Sequence, residues 1–346
     1  MPEPRTDNPK VTINDVARAC GVSKVTVSYV LNDTVRSGKI SEGTRERIKA
    51  AALELGYHPN ALARGLTNRR TDSLVMVMPY TTMFTGGSAF ITELIHASMN
   101  SAAKYGFDLI LQTKTRSSTH EELAGIVDGR SDGALLLRGA KDPIAEALIK
   151  RRYPAVYIFG QSENPLVSSV DCDNTAGGYI AAQHLIQNGH SRIIYVGGEE
   201  NVECVNERLN GYLQAMSEAG LTVDPEWIIF EEMHSAEYPS LRRALNVPNP
   251  PTAIFCWNDD LSATIMKFLQ TKMGLRIPED ISIVGFDSTV FCEYSSPRLT
   301  SVRQPFDRIC DAAFEVLKGL IQGEIQQVQT LRFEPVLDER DSVRKI

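Results

Sequence analysis

Apolar and polar positions follow two different rhythms along this chain, and the change falls near residue 70. Before it, apolar residues recur at helical spacing. Ile13, Val16 and Ala17 form one stripe, and Val27, Val30 and Leu31 with Val22 form a second. Ile48, Ala51, Ala52 and Leu55 form a third, at i, i+3, i+4 and i+7. Thr12 with Asp15 three residues later, Ser23 and Ser41 stand where N-caps are needed, and Gly21 and Gly56 where helices close. Three short helices are predicted. The first two, joined by a turn around Gly21, make a helix-turn-helix.

After residue 72, short apolar runs alternate with helical patterns. Strands are predicted at 74–78, 108–112, 134–137, 155–159, 193–196, 228–230, 254–257 and 281–286. Helices are predicted at 90–105, 175–187, 208–218, 261–273 and 306–321. Alternating β and α argues for parallel sheets covered by helices on both faces. That many strands exceed one comfortable sheet, so two lobes are expected. Ligands of such folds sit at the carboxyl ends of strands. The fold class is therefore an N-terminal all-α helix-turn-helix domain joined to a two-lobe α/β core with parallel sheets.

Between the two regions, Pro59 ends the third helix, because the residue before proline avoids helical geometry. Residues 61–67, Ala-Leu-Ala-Arg-Gly-Leu-Thr, form a poor standalone helix. They suit a segment that folds on DNA: leucine wedges between base steps from the minor groove, alanine allows close approach, and arginine meets phosphate.

Charge sharpens this division. Residues 1–70 carry 12 Lys/Arg against 7 Asp/Glu, a net of +5, while the remainder carries 24 against 36, a net of −12. A basic head on an acidic body points the head toward a polyanion. Second helices of helix-turn-helix units enter the major groove with their N-terminal residues against base edges. Here those are Ser23, Lys24, Val25, Thr26, Ser28 and Tyr29. A small helical bundle with solvated Ser and Thr is the bland alternative.

Other classes find little support. No run approaches the roughly 18 apolar residues of a membrane span. The N-terminus, with Pro2, Glu3, Arg5 and Asp7, lacks the apolar core of a secretory signal. The six cysteines are scattered, without C-x-x-C or metal-ligand spacing, as in a reduced cytoplasmic compartment. Glycine pairs at 86–87 and 197–198 make neither a dinucleotide fingerprint nor a P-loop. No G-x-S-x-G elbow, nucleophile–base pair or metal set argues for an enzyme, and no cofactor is expected. His184 and His190, six apart, do not share a helical face as ligands and are expected at the surface.

The run VTINDVARACGVSKVTVSYVLND, followed by SEGTRERIKAAALELGYHPNALARGLT, resembles the lactose-repressor (LacI/GalR) family of bacterial transcription regulators, and the likeness extends over the whole chain. It implies a DNA-binding domain over 1–58, a hinge helix over 59–71 and an effector-binding and dimerisation core over 72–346. That core is periplasmic-binding-protein-like (type I). Lobe 1 takes 72–171 and 303–328, and lobe 2 takes 172–302 and 329–346, with crossings near 171–173, 301–304 and 329–332. The expected partners are double-stranded operator DNA, a second copy of the chain and a small-molecule effector, a sugar before a nucleobase. A dimer is expected because the chain stops after Val336-Leu337 and a charged end, without a leucine-heptad tail.

By family position, Asn14, Ser23, Thr26, Ser28, Asn32, Thr44 and Tyr57 match backbone contacts. Lys24, Val25 and Tyr29 fall where members choose bases. Asn60, Ala63, Arg64 and Leu66 match hinge contacts, with Leu66 as the lever leucine. Tyr29 stands where most members carry arginine, and 33–40 runs about two or three residues longer than usual. Arg208, Asn258 and Asp287 match effector contacts, and Phe159 and His234 fall at variable pocket positions. Phe84 and Trp257 join them as aromatic faces, since rings stack on sugar C–H faces while carboxylate and guanidinium pair with hydroxyls. The competing reading makes Asp259 and Asp287 caps of the next element. A repressor of carbohydrate use is the leading expectation. An activator, a regulator answering a non-sugar effector and a solute-binding protein are the alternatives, and the head argues against the last.

Overall fold

The computed structural model describes residues 11–32, 38–58, 70–78, 88–113, 118–200, 202–231, 235 and 237–346. The chain divides into two compact units, Met1–Thr71 and Asp72–Ile346. The hinge positions Asn60, Ala63, Arg64 and Leu66, and the pocket candidates Phe84 and His234, lie outside the described residues.

The first unit holds α1 (Ile13–Cys20), α2 (Lys24–Leu31) and α3 (Glu42–Glu54). The Asp15 carboxylate accepts from the Thr12 amide at 2.9 Å and its hydroxyl at 2.7 Å. Ser23 Oγ accepts from the Thr26 amide at 3.1 Å, satisfying one of the open donors of α2. Ser41 stands at the N-cap of α3, but its hydroxyl donates to Thr44 Oγ1 at 3.0 Å. Gly21 takes the left-handed conformation (φ 61°) that the tight turn between α1 and α2 requires. A small core of Val16, Ala17, Cys20, Val27, Val30, Ile48 and Ala52 joins the helices. Leu55 does not belong to it. The helix ends at Glu54, so Leu55 leaves the apolar stripe and is 37% exposed.

The second unit runs β1 (Ser73–Val77), α4 (Ala89–Tyr105), β2 (Asp108–Leu111), α5 (Thr119–Ile126), β3 (Gly133–Leu136), α6 (Pro143–Lys150), β4 (Ala155–Ile158) and β5 (Ser168–Cys172). It continues through α7 (Asn174–Gln187), β6 (Ile193–Gly197), α8 (Glu203–Glu218), β7 (Ile228–Phe230), α9 (Pro239–Leu245), β8 (Ala253–Cys256), α10 (Asp259–Lys272) and β9 (Ser282–Asp287). It ends with α11 (Phe291–Tyr294), β10 (Thr300–Arg303), α12 (Phe306–Gln322), β11 (Thr330–Phe333) and β12 (Val336–Asp338).

The strands form two sheets, ordered β11-β5-β4-β3-β1-β2 in lobe 1 and β12-β10-β9-β8-β6-β7 in lobe 2. Neighbours are parallel except β12, which runs antiparallel to β10. Central strands such as Leu74-Val75-Met76-Val77 are apolar throughout because helices cover both faces of each sheet. Lobe 2 is likewise covered on both faces, by α9 and α10 on one and α7 and α8 on the other.

The chain crosses between lobes after β5, after β10 and after β11. The first crossing follows Cys172, and the second follows Arg303, whose strand pairs with β9 to its end. The third lies past its expected place: Thr330 pairs with Ser169 and Phe333 with Cys172, so β11 is the edge strand of lobe 1 and the crossing lies at Glu334-Pro335. Lobe 1 thus extends to Phe333, past the expected boundary at 328. Helix α8 also begins earlier than its apolar pattern suggests, at Glu203, so Arg208 lies inside it rather than opening it. His190 is buried, not at the surface. Its ring nitrogens pair with Thr252 Oγ1 at 2.9 Å and the Arg344 carbonyl at 3.1 Å, which offsets the cost of burial.

Candidate functional site

In the head, the open end of α2 gathers the sequence-predicted contacts. Ser23, Lys24 and Val25 are exposed, Val25 by 55%. Thr26 turns its hydroxyl back to Ser23 Oγ at 2.8 Å. Ser28 accepts from Asn32 Nδ2 at 3.1 Å, which fixes both at the far end of the helix. Asn14 is exposed on α1, Thr44 lies in the first turn of α3, and Tyr57 packs against the head core. A surface of small hydroxyls, one lysine and one free aliphatic group can donate to phosphates and touch base edges.

In the body, the strand ends of lobe 2 bring Arg208, Trp257, Asn258 and Asp287 together. Helices α7 and α8 cross in close contact. A Cβ at Gly178 would overlap the Arg208 carbonyl, and one at Gly211 the Thr175 carbonyl. These glycines therefore let the backbone of α8 at Arg208 lie close against α7. Its guanidinium stacks on the Phe286 ring at 3.6 Å and lies 5.6 Å from the Trp257 ring centroid. Nε donates to Asn174 Oδ1 at 2.9 Å, and Nη1 donates to the Trp257 carbonyl. Nη1 also stands 3.9 Å from Asp287 Oδ1.

Asp287 ends β9 and accepts from Gln304 Nε2 at 2.7 Å. Burial pushes its carboxyl well above the usual range, against the pull of Arg208. It caps no helix. Asp259 is no cap either: it accepts from Ser301 Oγ at 2.6 Å, the Thr289 amide at 2.7 Å, Thr289 Oγ1 at 3.0 Å and Cys292 Sγ at 3.1 Å. Burial lifts it to about 6, with these hydrogen bonds opposing. The cap of α10 is Asn258, whose Oδ1 accepts from the Leu261 amide at 2.8 Å.

Lobe 1 contributes an aromatic cluster. Phe159, just past β4 with φ 51°, packs on Phe306 at 4.9 Å and edge-on to Phe90 at 5.3 Å. Polar contacts join the lobes. Asp260 accepts from Ser88 Oγ at 2.7 Å and the Ala89 amide at 3.2 Å, so a lobe 2 carboxylate caps the first helix of lobe 1. Gln161 Nε2 donates to Glu203 Oε1 at 2.6 Å, and Arg332 Nη2 donates to Glu207 Oε1 at 2.8 Å. Buried Asp171 lies beside Glu207 and Arg332, and burial pushes it up to about 7.

Sequence reasoning missed Asn174, Gln304, Asp260, Glu207 and Arg332. Their one signal was position: Asn174 and Gln304 fall at crossings, where polar residues interrupt the apolar rhythm.

A small basic helix-turn-helix head and a two-lobe α/β body with charged and aromatic side chains gathered at the strand ends of lobe 2 are the layout of a ligand-responsive DNA-binding regulator. Residues 12–60 match the pattern described as "Bacterial regulatory proteins, lacI family", and residues 182–343 match "Periplasmic binding protein-like domain". The chain is 33% identical over 341 residues to the HTH-type transcriptional repressor PurR of Aliivibrio salmonicida, covering 97% of this chain and 99% of that protein. It is 34% identical over 343 residues to the PurR repressor of Vibrio vulnificus, with the same coverage. A solved transcriptional regulator CelR–cellobiose complex superposes with a TM-score of 0.69 at 31% identity, over 96% of this chain and 99% of that one. The lac repressor dimer bound to operator and the anti-inducer ONPF shares the fold, with a TM-score of 0.80 at 24% identity over 96% and 99%. The chain belongs to the lacI family of bacterial regulatory proteins. Among the described residues, no helix is long and apolar enough to cross a membrane.

Proposed function

We propose that this regulator is a homodimeric repressor whose hold on operator DNA is set by a sugar bound between its lobes. The observation that carries the reading is the buried Arg208–Asp287 pair, flanked by Trp257 at the strand ends of lobe 2. A guanidinium and a carboxylate side by side can donate to and accept from neighbouring hydroxyls, while an aromatic face takes C–H groups. Solved relatives at 31% and 25% identity hold cellobiose and ribose. In this reading Arg208, Asp287 and Asn258 contact hydroxyls, and Phe84, Phe159, His234 and Trp257 shape the pocket. A nucleobase is the second reading, favoured by the flat faces of Trp257 and Phe159.

In the head, Lys24, Val25 and Tyr29 read bases. Asn14, Ser23, Thr26, Ser28, Asn32, Thr44 and Tyr57 hold the backbone, and Asn60, Ala63, Arg64 and Leu66 enter the minor groove. Two-fold proteins read two-fold sites, and phosphate contacts release counterions. The site selected from random DNA is expected to be a near-palindrome, bound more weakly as salt rises. A preferred site without a dyad would remove the dimer.

A thermal-shift panel of sugars and nucleobases on the full chain tests the effector, because a ligand that binds only the native state raises the melting temperature. A sugar is expected to shift it, and Asp287→Ala to abolish that shift while operator binding stays. A shift by nucleobases alone would overturn the sugar reading.

A further inference from the structure

The hydrogen bonds of Arg208 lead out of lobe 2. Its Nε donates to Asn174 Oδ1 at 2.9 Å. Asn174 Nδ2 donates onward to Glu207 Oε2 at 3.2 Å, and Glu207 Oε1 accepts from Arg332 Nη2 at 2.8 Å. Arg332 lies in β11, the lobe 1 strand that ends at the third crossing. Asn174 is the first residue of α7, just past the first crossing. The same Arg332 nitrogen donates to Gln161 Oε1 at 3.2 Å, which ties it to lobe 1.

This chain of contacts is directional. An amide has one acceptor and one donor end; Asn174 gives its acceptor to Arg208 and shares its donor end between Glu207 at 3.2 Å, the Cys172 carbonyl at 3.3 Å and Asp171 Oδ2 at 3.5 Å. It is 1% exposed, so water cannot stand in for either partner. Glu207 likewise divides its two oxygens between Asn174 and Arg332. A ligand that draws Arg208 toward itself weakens its bond to Asn174 and frees that amide to turn. The pull on Glu207 then changes, and with it the hold on Arg332 at the hinge edge of lobe 1.

We propose that Asn174, Glu207 and Arg332 form a relay coupling the state of Arg208 to the angle between the lobes, without touching the effector themselves. This rests on the reading of Arg208 as the effector-contacting residue. The three are positioning residues.

The test uses the full chain, its selected operator, and the variants Glu207→Gln, Arg332→Gln and their double. Without effector, each single variant is expected to shift operator affinity by about fivefold or more, and the double no further than the larger single. Singles within about twofold of the parent, or shifts that multiply in the double, overturn the relay. If one variant melts far below the parent, the other decides. Cellobiose is the effector probe. Its affinity is expected to stay within about threefold in both singles, while its effect on operator affinity falls about tenfold. Equal losses of binding and response overturn the relay. If no sugar binds the parent, the sugar reading falls, and the relay is still decided by the operator measurements alone.

Discussion

The head and the body solve opposite problems. The head keeps its candidate contacts in water: Ser23, Lys24 and Val25 are exposed, and a core of small residues supports them from behind. The body buries its candidates: Arg208 is 4% exposed, Asp287 3% and Asn258 5%, each already paired within the protein. Exposed candidates such as Lys24 and Val25 can therefore change at little cost to the fold, whereas Ser23 also caps α2. Buried groups that already satisfy one another's charges cannot do so. Function and stability separate in the head and merge in the body.

Arg208→Ala is the sharpest attempt to break this contrast. It removes two hydrogen bonds and the cation beside buried Asp287. Losing one partner of a buried charged network costs roughly 3–5 kcal/mol. Urea unfolding of the full chain should show that loss in the body transition, together with loss of effector binding. A variant that unfolds like the parent would mean that this buried network tolerates change as the head does.

The second test is pH. Asp171 has an ordinary value of 3.8 and is raised to about 7 in the folded chain, chiefly by burial. The unfolded chain releases this proton near 4, while the folded chain keeps it to about 7. Over that window the folded state binds more protons, so stability is fully present below it and falls as pH rises through it. The stability lost across the window is on the order of 2–4 kcal/mol. Asp171→Asn should flatten the fall in body stability across the window. An unchanged slope would show that other groups set it. Asp259 and Asp287 titrate in the same direction and remain in the variant.

The third test moves to the head. Ser23 Oγ caps α2, and removing a cap costs about 0.5–2 kcal/mol. Ser23→Ala should lower head stability by that much and weaken all operators alike. A base-specific effect would place Ser23 among the readers instead.

The same contrast governs what the sequence reveals. The head follows simple rules: helical stripes, caps at Thr12 and Ser23, and a turn glycine at position 21. Leu55 departs, because the helix stops one residue short of it, and so does Ser41, whose hydroxyl turns to Thr44 Oγ1 instead of capping α3. In the body, the eight largely apolar strands are visible, but β5, β10, β11 and β12 are not. Ser168-Ser169-Val170-Asp171-Cys172 and Thr300-Ser301 read as polar loops, yet they are buried. Specific partners make this possible: Ser168 Oγ accepts from the Gln329 amide at 3.0 Å, and Ser301 Oγ donates to Asp259 Oδ1 at 2.6 Å. Hydropathy cannot register a hydroxyl satisfied by a residue far along the chain. The same blindness hid Asn174, Gln304 and Arg332, whose roles come from distant partners, whereas Arg208 and Asp287 were reached through family position.

The smallest expected effect on stability is the most telling for the head. Lys24 is the first residue of α2 and is exposed. Its charge sits at the positive end of the helix dipole, and the first turn of α2 holds no acidic residue to offset it. For the helix alone, alanine is the better choice, by a few tenths of a kcal/mol. A residue that works slightly against its own helix is the place to test for a contact outside the fold. Lys24→Ala should leave the melting temperature unchanged or slightly raised. Its operator preference should change, because a base-edge contact discriminates by about 1–3 kcal/mol. Thr26→Ala should instead weaken binding across sequences, because a phosphate contact carries little sequence information. Selection of sites from random DNA by each variant, beside its melting curve, separates the two. If Lys24→Ala and Thr26→Ala lose affinity equally on every operator, Lys24 contacts only the backbone. The head would then read its bases through Val25 and Tyr29, by apolar contact and a phenol rather than by a charge.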